Sequence, residues 1–388
     1  MRVSGKVGNV QLMQRINRAR VVDCIRRADG EVTRPQLAAE TGLSLSSITN
    51  IINYLIGQDF ISEHAVAESI RPGRRASLLG LSDSRWRIAC IVAEAHSIYA
   101  SLMTLSGRVI STIPFEPASD RPLIGNDALN AIVTLRDRLL EEPNSSILGI
   151  AVSVPGMVTD RGSSVTSIAF QWSGVNLRKA MENGCDIPVF IQNSSFARAI
   201  CIRREIRRDK PANALFIDLE HGIGAVHFAE TVLDPTFLGE IGHVTADIHG
   251  ERCFCGNRGC LEMFCTPERI AADYGAAAYG EVVEAGKRGE EKALVYLERG
   301  GRYLGAALVT LIQLFAPDIL YIHGYELLES SLVAETAEQY VREHAYPELA
   351  HRVTFRHVSL DEHSTLSGLL EYALDRLFDV ESSKCILE

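Results

Sequence analysis

The sequence contains no run of roughly 18 uninterrupted apolar residues, the length a membrane-spanning helix needs. Its first twenty residues, MRVSGKVGNVQLMQRINRAR, lack the apolar stretch of a secretory signal. Both absences predict a cytoplasmic protein with no membrane partner. The chain also lacks an overall excess of positive charge: 39 Lys+Arg against 49 Asp+Glu leave a formal net charge of −10. Taken whole, that balance argues against a nucleic-acid partner. Nine cysteines are an odd number, so they cannot all pair as disulfides. Where cysteines cluster in a reducing compartment, metal binding is the first expectation.

What is present is unevenly spread. Residues 1–80 hold 11 basic and 7 acidic residues, leaving 28 basic and 42 acidic for the rest. A chain of 388 residues exceeds one ordinary core. A division into residues 1–80 and 81–388 therefore separates a basic unit from an acidic body, as expected of a DNA reader joined to a sensor.

Ile16, Ala19, Val22 and Ile25 recur at helical spacing over Leu12–Ala28. After the Asp29-Gly30 turn, Thr33 with Gln36 three residues on forms a capping-box pattern for a second helix that stops at Gly42. Ser44 then caps a third helix through Ile48, Ile51, Ile52 and Leu55. Two short helices joined by a tight turn form a helix-turn-helix, and the first turns of the second carry Ser46, Ser47, Thr49 and Asn50 toward base edges. A strand from Phe60, an arginine-rich turn with Arg71, Arg74 and Arg75, and a returning strand over Ala76–Leu81 make a wing suited to phosphates or a narrow minor groove. The alternative is a three-helix interaction module with an incidental basic loop. The order of cap, turn, helix and wing favours DNA.

The densest chemistry lies at 239–262, GEIGH followed by CFCGNRGCLE. His243, Cys253, Cys255 and Cys260 offer one imidazole and three thiols, a tetrahedral zinc set with every position filled by protein, hence structural. Core cysteines with an unrelated histidine are the other reading; three cysteines within eight residues count against it.

GEIGH, spaced ten residues before CxCGNRGCLE, resembles the signature of the ROK family (repressors, open reading frames and kinases). The preceding helix-turn-helix resembles its repressor branch, which includes xylose and N-acetylglucosamine repressors. Val154-Pro155-Gly156, Trp172 with Val175 and Leu177, Gly222-Ile223-Gly224 and Leu311–Gly324 echo further family segments. The resemblance implies an α/β, actin-like (ribonuclease-H-like) body of two lobes around a cleft, with the zinc loop supporting a sugar site. It also implies that Glu240, His243 and Glu262 contact sugar hydroxyls, with Asn193 and Ser194 beside them. Support of the metal ligands, or solvated charge, is the competing role for the two glutamates.

Family kinases carry a catalytic aspartate in a motif like E-N-D-A-N. Here Gln192-Asn193-Ser194-Ser195-Phe196 places Ser194 there, and an unactivated hydroxyl is a poor base. The family's first phosphate loop resembles D-x-G-G-T, whereas Val92-Ala93-Glu94-Ala95-His96 has no glycine and adds a carboxylate. The second loop carries Glu220, and Ile322-His323-Gly324-Tyr325 replaces a glycine-richer run. These departures predict no ATP binding and no kinase activity. The expected function is a sugar-responsive regulator of carbohydrate genes, acting as a homodimer or higher oligomer on operator DNA. A sugar kinase with an attached DNA module is the alternative. The tail Ser382–Glu388 is expected to fray.

Overall fold

The computed structural model describes residues 4–28, 30–65, 77–95, 97–117, 122–142, 146–220, 222–229, 236–237, 239–324, 330–361, 363–380 and 385–387. The expected wing arginines Arg71, Arg74 and Arg75 lie outside the described residues.

The N-terminal unit comprises helices α1 (Ser4–Arg27), α2 (Arg34–Thr41) and α3 (Leu45–Gly57), then antiparallel strands β1 (Ile61–Ala65) and β2 (Ser77–Leu81). Gln36 Oε1 accepts from the Thr33 N–H at 2.8 Å, and Ser44 Oγ accepts from the Ser47 N–H at 3.2 Å. Both caps sit where helix termini leave backbone donors unsatisfied. Helix α1 begins at Ser4, earlier than the apolar periodicity from Leu12 predicts. Val10, Leu12 and Met13 are exposed, so the early turns project beyond the core and leave no apolar stripe to read.

The body repeats one topology. Its first sheet uses β3 (Trp86–Ala93), β4 (Ile98–Thr104), β5 (Val109–Pro114), β6 (Ser146–Val154) and β10 (Val189–Asn193), ordered β10-β6-β3-β4-β5. Helix α4 (Gly125–Leu140) and α5 (Leu177–Glu182) pack on one face, and β7 (Met157–Thr159), β8 (Ser164–Ser167) and β9 (Trp172–Val175) form a small adjoining sheet. The second large sheet uses β11 (Asn213–Asp218), β12 (Gly224–Ala229), β13 (Thr236–Phe237), β14 (Ile319–His323) and β15 (Thr354–His357), ordered β13-β12-β11-β14-β15. In each sheet three antiparallel strands lead into parallel pairings on the far side of the first strand. Continuous apolar runs such as Ile88–Ala93 fit strands covered on both faces.

Helices α6 (Ser194–Cys201) and α7 (Arg203–Asp209) join the halves. Phe196, Ala197 and Ile200 enter the core of the first half, while Ala199, Ile202 and Ile206 enter that of the second. The second half adds α8 (Glu262–Cys265), α9 (Pro267–Tyr274), α10 (Tyr279–Lys287), α11 (Glu291–Phe315), α12 (Ser331–His344) and α13 (Pro347–Arg352). The last helix, α14 (Ser364–Phe378), returns to the first half and packs on α6, β3 and β6.

One apolar cluster runs from Val21, Ile52 and Leu79 of the N-terminal unit through Ile88 and Met103 to Leu374 and Leu377. The core is thus continuous across residue 80. The fraying expected of the tail is not observed among the described residues 385–387. Leu387 is fully buried, its carbonyl accepts from Arg18 Nη1 at 3.3 Å, and Ile386 N–H donates to the Leu377 carbonyl at 2.9 Å. Two apolar residues pinned by α1 and α14 outweigh the fraying tendency of a terminus. Among the described residues no helix is long and apolar enough to cross a membrane.

Candidate functional site

Asn193, Glu94 and Asp218 stand at or just past the C-terminal ends of β10, β3 and β11. In open parallel α/β sheets those ends form the crevice where ligands bind. A cavity of about 70 Å³ lies there, lined by Pro155, Gly156, Asn193, Ser194, Glu240 and Glu262, with Arg198 and Asp218 alongside. The structure therefore brings together four residues the sequence predicts for sugar contact, although they come from segments far apart in the chain.

Two of them have unsatisfied polar atoms. Ser194 Oγ and Glu240 Oε1 are buried and have no hydrogen-bond partner among the described residues. Buried polar groups are nearly always paired, so these two atoms leave hydrogen-bonding capacity on one cavity wall for water or a ligand. Burial raises the Glu240 carboxyl above its usual range; Glu262 adds to the rise and His243 opposes it.

The other two are partly engaged. Asn193 Nδ2 donates to the Gly156 carbonyl at 2.7 Å and Oδ1 caps α6 by accepting from Phe196 N–H at 3.2 Å. One amide hydrogen and one lone pair remain for a ligand. Glu262 Oε1 accepts from the Ile223 N–H at 2.9 Å, which ties it to the loop before β12. Gly242 of the GEIGH run permits this approach: a Cβ there would lie 2.3 Å from Glu262 Oε1.

Behind Glu262 the ligand atoms of His243, Cys253, Cys255 and Cys260 all fall within 4.8 Å of one another. Cys255 Sγ and Cys260 Sγ are 3.5 Å apart, and Cys253 Sγ is 3.7 Å from His243 Nδ1. Tetrahedral zinc with bonds of about 2.3 Å to sulfur and 2.0 Å to nitrogen gives edges of roughly 3.5–3.8 Å. The donor set thus fits zinc in type, number and spacing. His243 Nδ1 also lies 3.7 Å from Glu262 Oε2, so the cluster and the cavity share a wall, but His243 itself is not among the residues lining the cavity.

One feature of the cavity escaped the sequence reading. Arg198 Nε donates to Asp218 Oδ2 at 2.9 Å, and its Nη1 donates to Glu94 Oε1 at 3.2 Å and Thr365 Oγ1 at 3.3 Å. This buried guanidinium links the first strand of one half to the first strand of the other. Burial alone would raise Asp218, but the Arg198 charge and hydrogen bonds from Ser195 and Arg198 hold its carboxyl below the usual range. The sequence reading singles out Glu94 in the first loop and Glu220 in the second, and neither Arg198 nor Asp218. The candidate DNA-contacting side chains are less free than expected. Ser46 and Ser47 hydroxyls lie 2.9 Å from Ser44 Oγ, and Thr49 Oγ1 donates to the Leu45 carbonyl at 2.8 Å. Asn50 is exposed, with no hydrogen-bond partner among the described residues.

Comparison with known proteins bears on these features. The profile of the ROK family matches residues 89–376. The chain is 22% identical over 356 residues to the xylose repressor of Bacillus spizizenii, covering 90% of this chain and 92% of that protein. Among solved structures, a ROK family transcriptional regulator, homologous to the Escherichia coli MLC protein, superposes with a TM-score of 0.76 at 24% identity over 94% of this chain and 97% of that one. A ROK family glucokinase from Streptomyces griseus, solved with glucose and AMPPNP, superposes with a TM-score of 0.57 at 19% identity, over 74% of this chain and 98% of that one. The fold is therefore the mixed α/β architecture shared with ROK sugar kinases. With the profile spanning most of its length, the chain belongs to the ROK family.

Proposed function

We propose that this protein is a sugar-responsive, DNA-binding transcriptional repressor without kinase activity, built around a structural zinc ion. The observation that carries the sugar reading is the pair of orphaned polar atoms, Ser194 Oγ and Glu240 Oε1, on one small polar cavity. Hydroxyl groups satisfy both: Ser194 can donate or accept, and a carboxylate accepts. Glu262 and Asn193 would hold neighbouring hydroxyls. Zinc on His243, Cys253, Cys255 and Cys260 would fix the loop that carries Glu240 and abuts Glu262; its role is structural, since protein fills four positions.

The nearby ion cluster supports the absence of phosphoryl transfer. Glu94 and Asp218 present carboxylates where a triphosphate would need donors, and Arg198 is committed to both of them. Ser194 lacks an activating base and is itself too weak to take a proton from a sugar hydroxyl.

Residues 1–80 form the DNA reader in this proposal: a winged helix-turn-helix with α3 as recognition helix, Asn50 as its most available side chain, and Ser46, Ser47 and Thr49 as close backbone contacts. Arg71, Arg74 and Arg75 of the wing would meet phosphates. The repressor name of the full-length relative supports this reading. A physical route joins the two functions. Asn193 caps α6; α6 packs on α14; α14 holds the N-terminal unit through Asp375 and Glu371, both paired with Arg26, and through Phe378 edge-on to Phe60 at 5.8 Å. A ligand that draws the two halves together would tilt α6 and thereby the platform under α1. In a homodimer, that tilt alters the spacing of two recognition helices. Its size is bounded by the ligand's differential affinity for the two arrangements.

Operator binding measured with and without saturating sugar tests the proposal, alongside a coupled ATP–hexokinase assay over the same sugars. The expected result is a sugar-dependent change in operator affinity with no turnover. Unchanged operator affinity across the panel counts against it, as does turnover lost on mutating Asn193 or Glu262.

A further inference from the structure

A second chamber adjoins the small cavity. It measures about 530 Å³ against about 70 Å³ for the inner one, and the two share Glu94, Gly222 and Glu262. Known ligand sites run to roughly 300–1,000 Å³, whereas one water takes up about 30 Å³. The inner cavity alone is therefore far below ligand size, and most of the space in this part of the cleft lies in the adjoining chamber.

The outer walls have a mixed character. Ala95 and Ala169 come from the first half; Phe254, Met263 and Ala272 come from the second. Phe254 is 69% exposed and stands edge-on to His243 at a centroid distance of 5.4 Å, between two cluster cysteines. An exposed aromatic face beside a carboxylate-bearing cavity suits a sugar ring, whose C–H face is apolar and whose rim is hydroxylated. Ser97, Thr266 and Glu268 supply polar groups at the edge. Among the described residues of this wall the one cation, Arg269, is already paired with Glu251 and Asp273, both at 2.8 Å. Among the described residues of this wall, three glutamates and no uncommitted cation disfavour a phosphorylated or acidic ligand.

We infer that the effector is a neutral glycoside of at least two rings, one ring reaching Ser194, Glu240 and Glu262 and the next lying on Phe254 in the outer chamber. This rests on the sugar-sensing proposal above and narrows it: a single pyranose, already too large for the inner cavity, would still leave most of the larger chamber to water.

Calorimetric titration of the full-length protein tests the inference with three matched pairs: glucose and cellobiose, xylose and xylobiose, N-acetylglucosamine and diacetylchitobiose. At least one disaccharide should bind about tenfold or more tighter than its own monosaccharide, equivalent to roughly 1.4 kcal/mol. Phe254→Ala should erase that advantage. Because Phe254 adjoins two cysteines of the cluster, Ala272→Phe provides a second variant. It fills the chamber from α9, away from the metal loop, and should block the disaccharide alone. Equal affinity within every pair overturns the inference and leaves the sugar reading standing. A disaccharide advantage that survives both variants places the second ring elsewhere and also overturns it. Failure of all six saccharides with the fold intact removes the sugar reading, and this inference with it.

Discussion

Gly368 of α14 lies so close to the Ala197 carbonyl of α6 that a Cβ at 368 would sit 1.8 Å from the oxygen. No side chain fits there, so the two helices are in direct backbone contact. Cys201 Sγ, one turn along α6, contacts the Ser364 carbonyl at 2.8 Å and strengthens the same seam. Helix α6 starts at the candidate sugar cavity and α14 touches the N-terminal unit, so this contact is where a displacement would pass between them. Gly368→Ala should force the helices apart and lower stability by about 1–3 kcal/mol, the usual effect of overpacking. Urea denaturation measures that loss. In the same variant, operator affinity should respond less to sugar while sugar affinity changes little.

Arg198 is the only side chain described that binds carboxylates from both large sheets. Arg198→Met would leave Glu94 and Asp218 buried without a counter-charge. Removing one partner of a buried ion pair costs about 3–5 kcal/mol. Adding Glu94→Gln and Asp218→Asn to that variant should restore most of the loss, because no uncompensated charge remains. A triple variant as unstable as the single one would show that Arg198 contributes by packing instead.

Cys255→Ser should abolish zinc binding at the loop. Elemental analysis should find about one zinc per chain in the parent and none in the variant. The thermal midpoint should fall, and the sugar-induced rise in midpoint should shrink, since Glu240 and Glu262 flank the loop. Retained zinc would refute the ligand set.

Asp375 connects pH to docking of the N-terminal unit. Burial alone would raise its carboxyl, but Arg26 and Arg203 hold it below the usual range. A depressed folded value means the contribution is complete above the unfolded value near ~3.9 and is lost as pH falls through the folded one. Hydrogen exchange in α1 should therefore stay slow from neutral pH down to about 4 and accelerate below it. Asp375→Asn should flatten that profile.

Asn50→Ala should cost about 1–3 kcal/mol on the preferred operator and relax base preference at one position. Arg74→Ala should weaken binding to all sequences and reduce the salt slope by about one. Titrations at several salt concentrations separate the two effects. An unchanged slope for Arg74→Ala would remove the wing from the interface.

The sequence by itself determined what is local. The four zinc-set residues fall between 243 and 260, a loop short enough for spacing to imply proximity. The caps at Thr33 and Ser44 act on residues three positions away, so helices α2 and α3 were readable in outline. The family motifs carried the α/β class. What only the tertiary structure decided is long-range. Arg198 meets partners 20, 104 and 167 positions distant, and no period or motif announces such a meeting. The tail was expected to fray as chain termini commonly do, yet Arg18 holds it from 369 positions away. The outer chamber likewise exists only because folding sets Ala169 of one half opposite Phe254 of the other. Short-range patterns report the torsions and faces of single elements; which charge, tail or aromatic face meets which is set by packing among elements, and that information is spread over the whole chain.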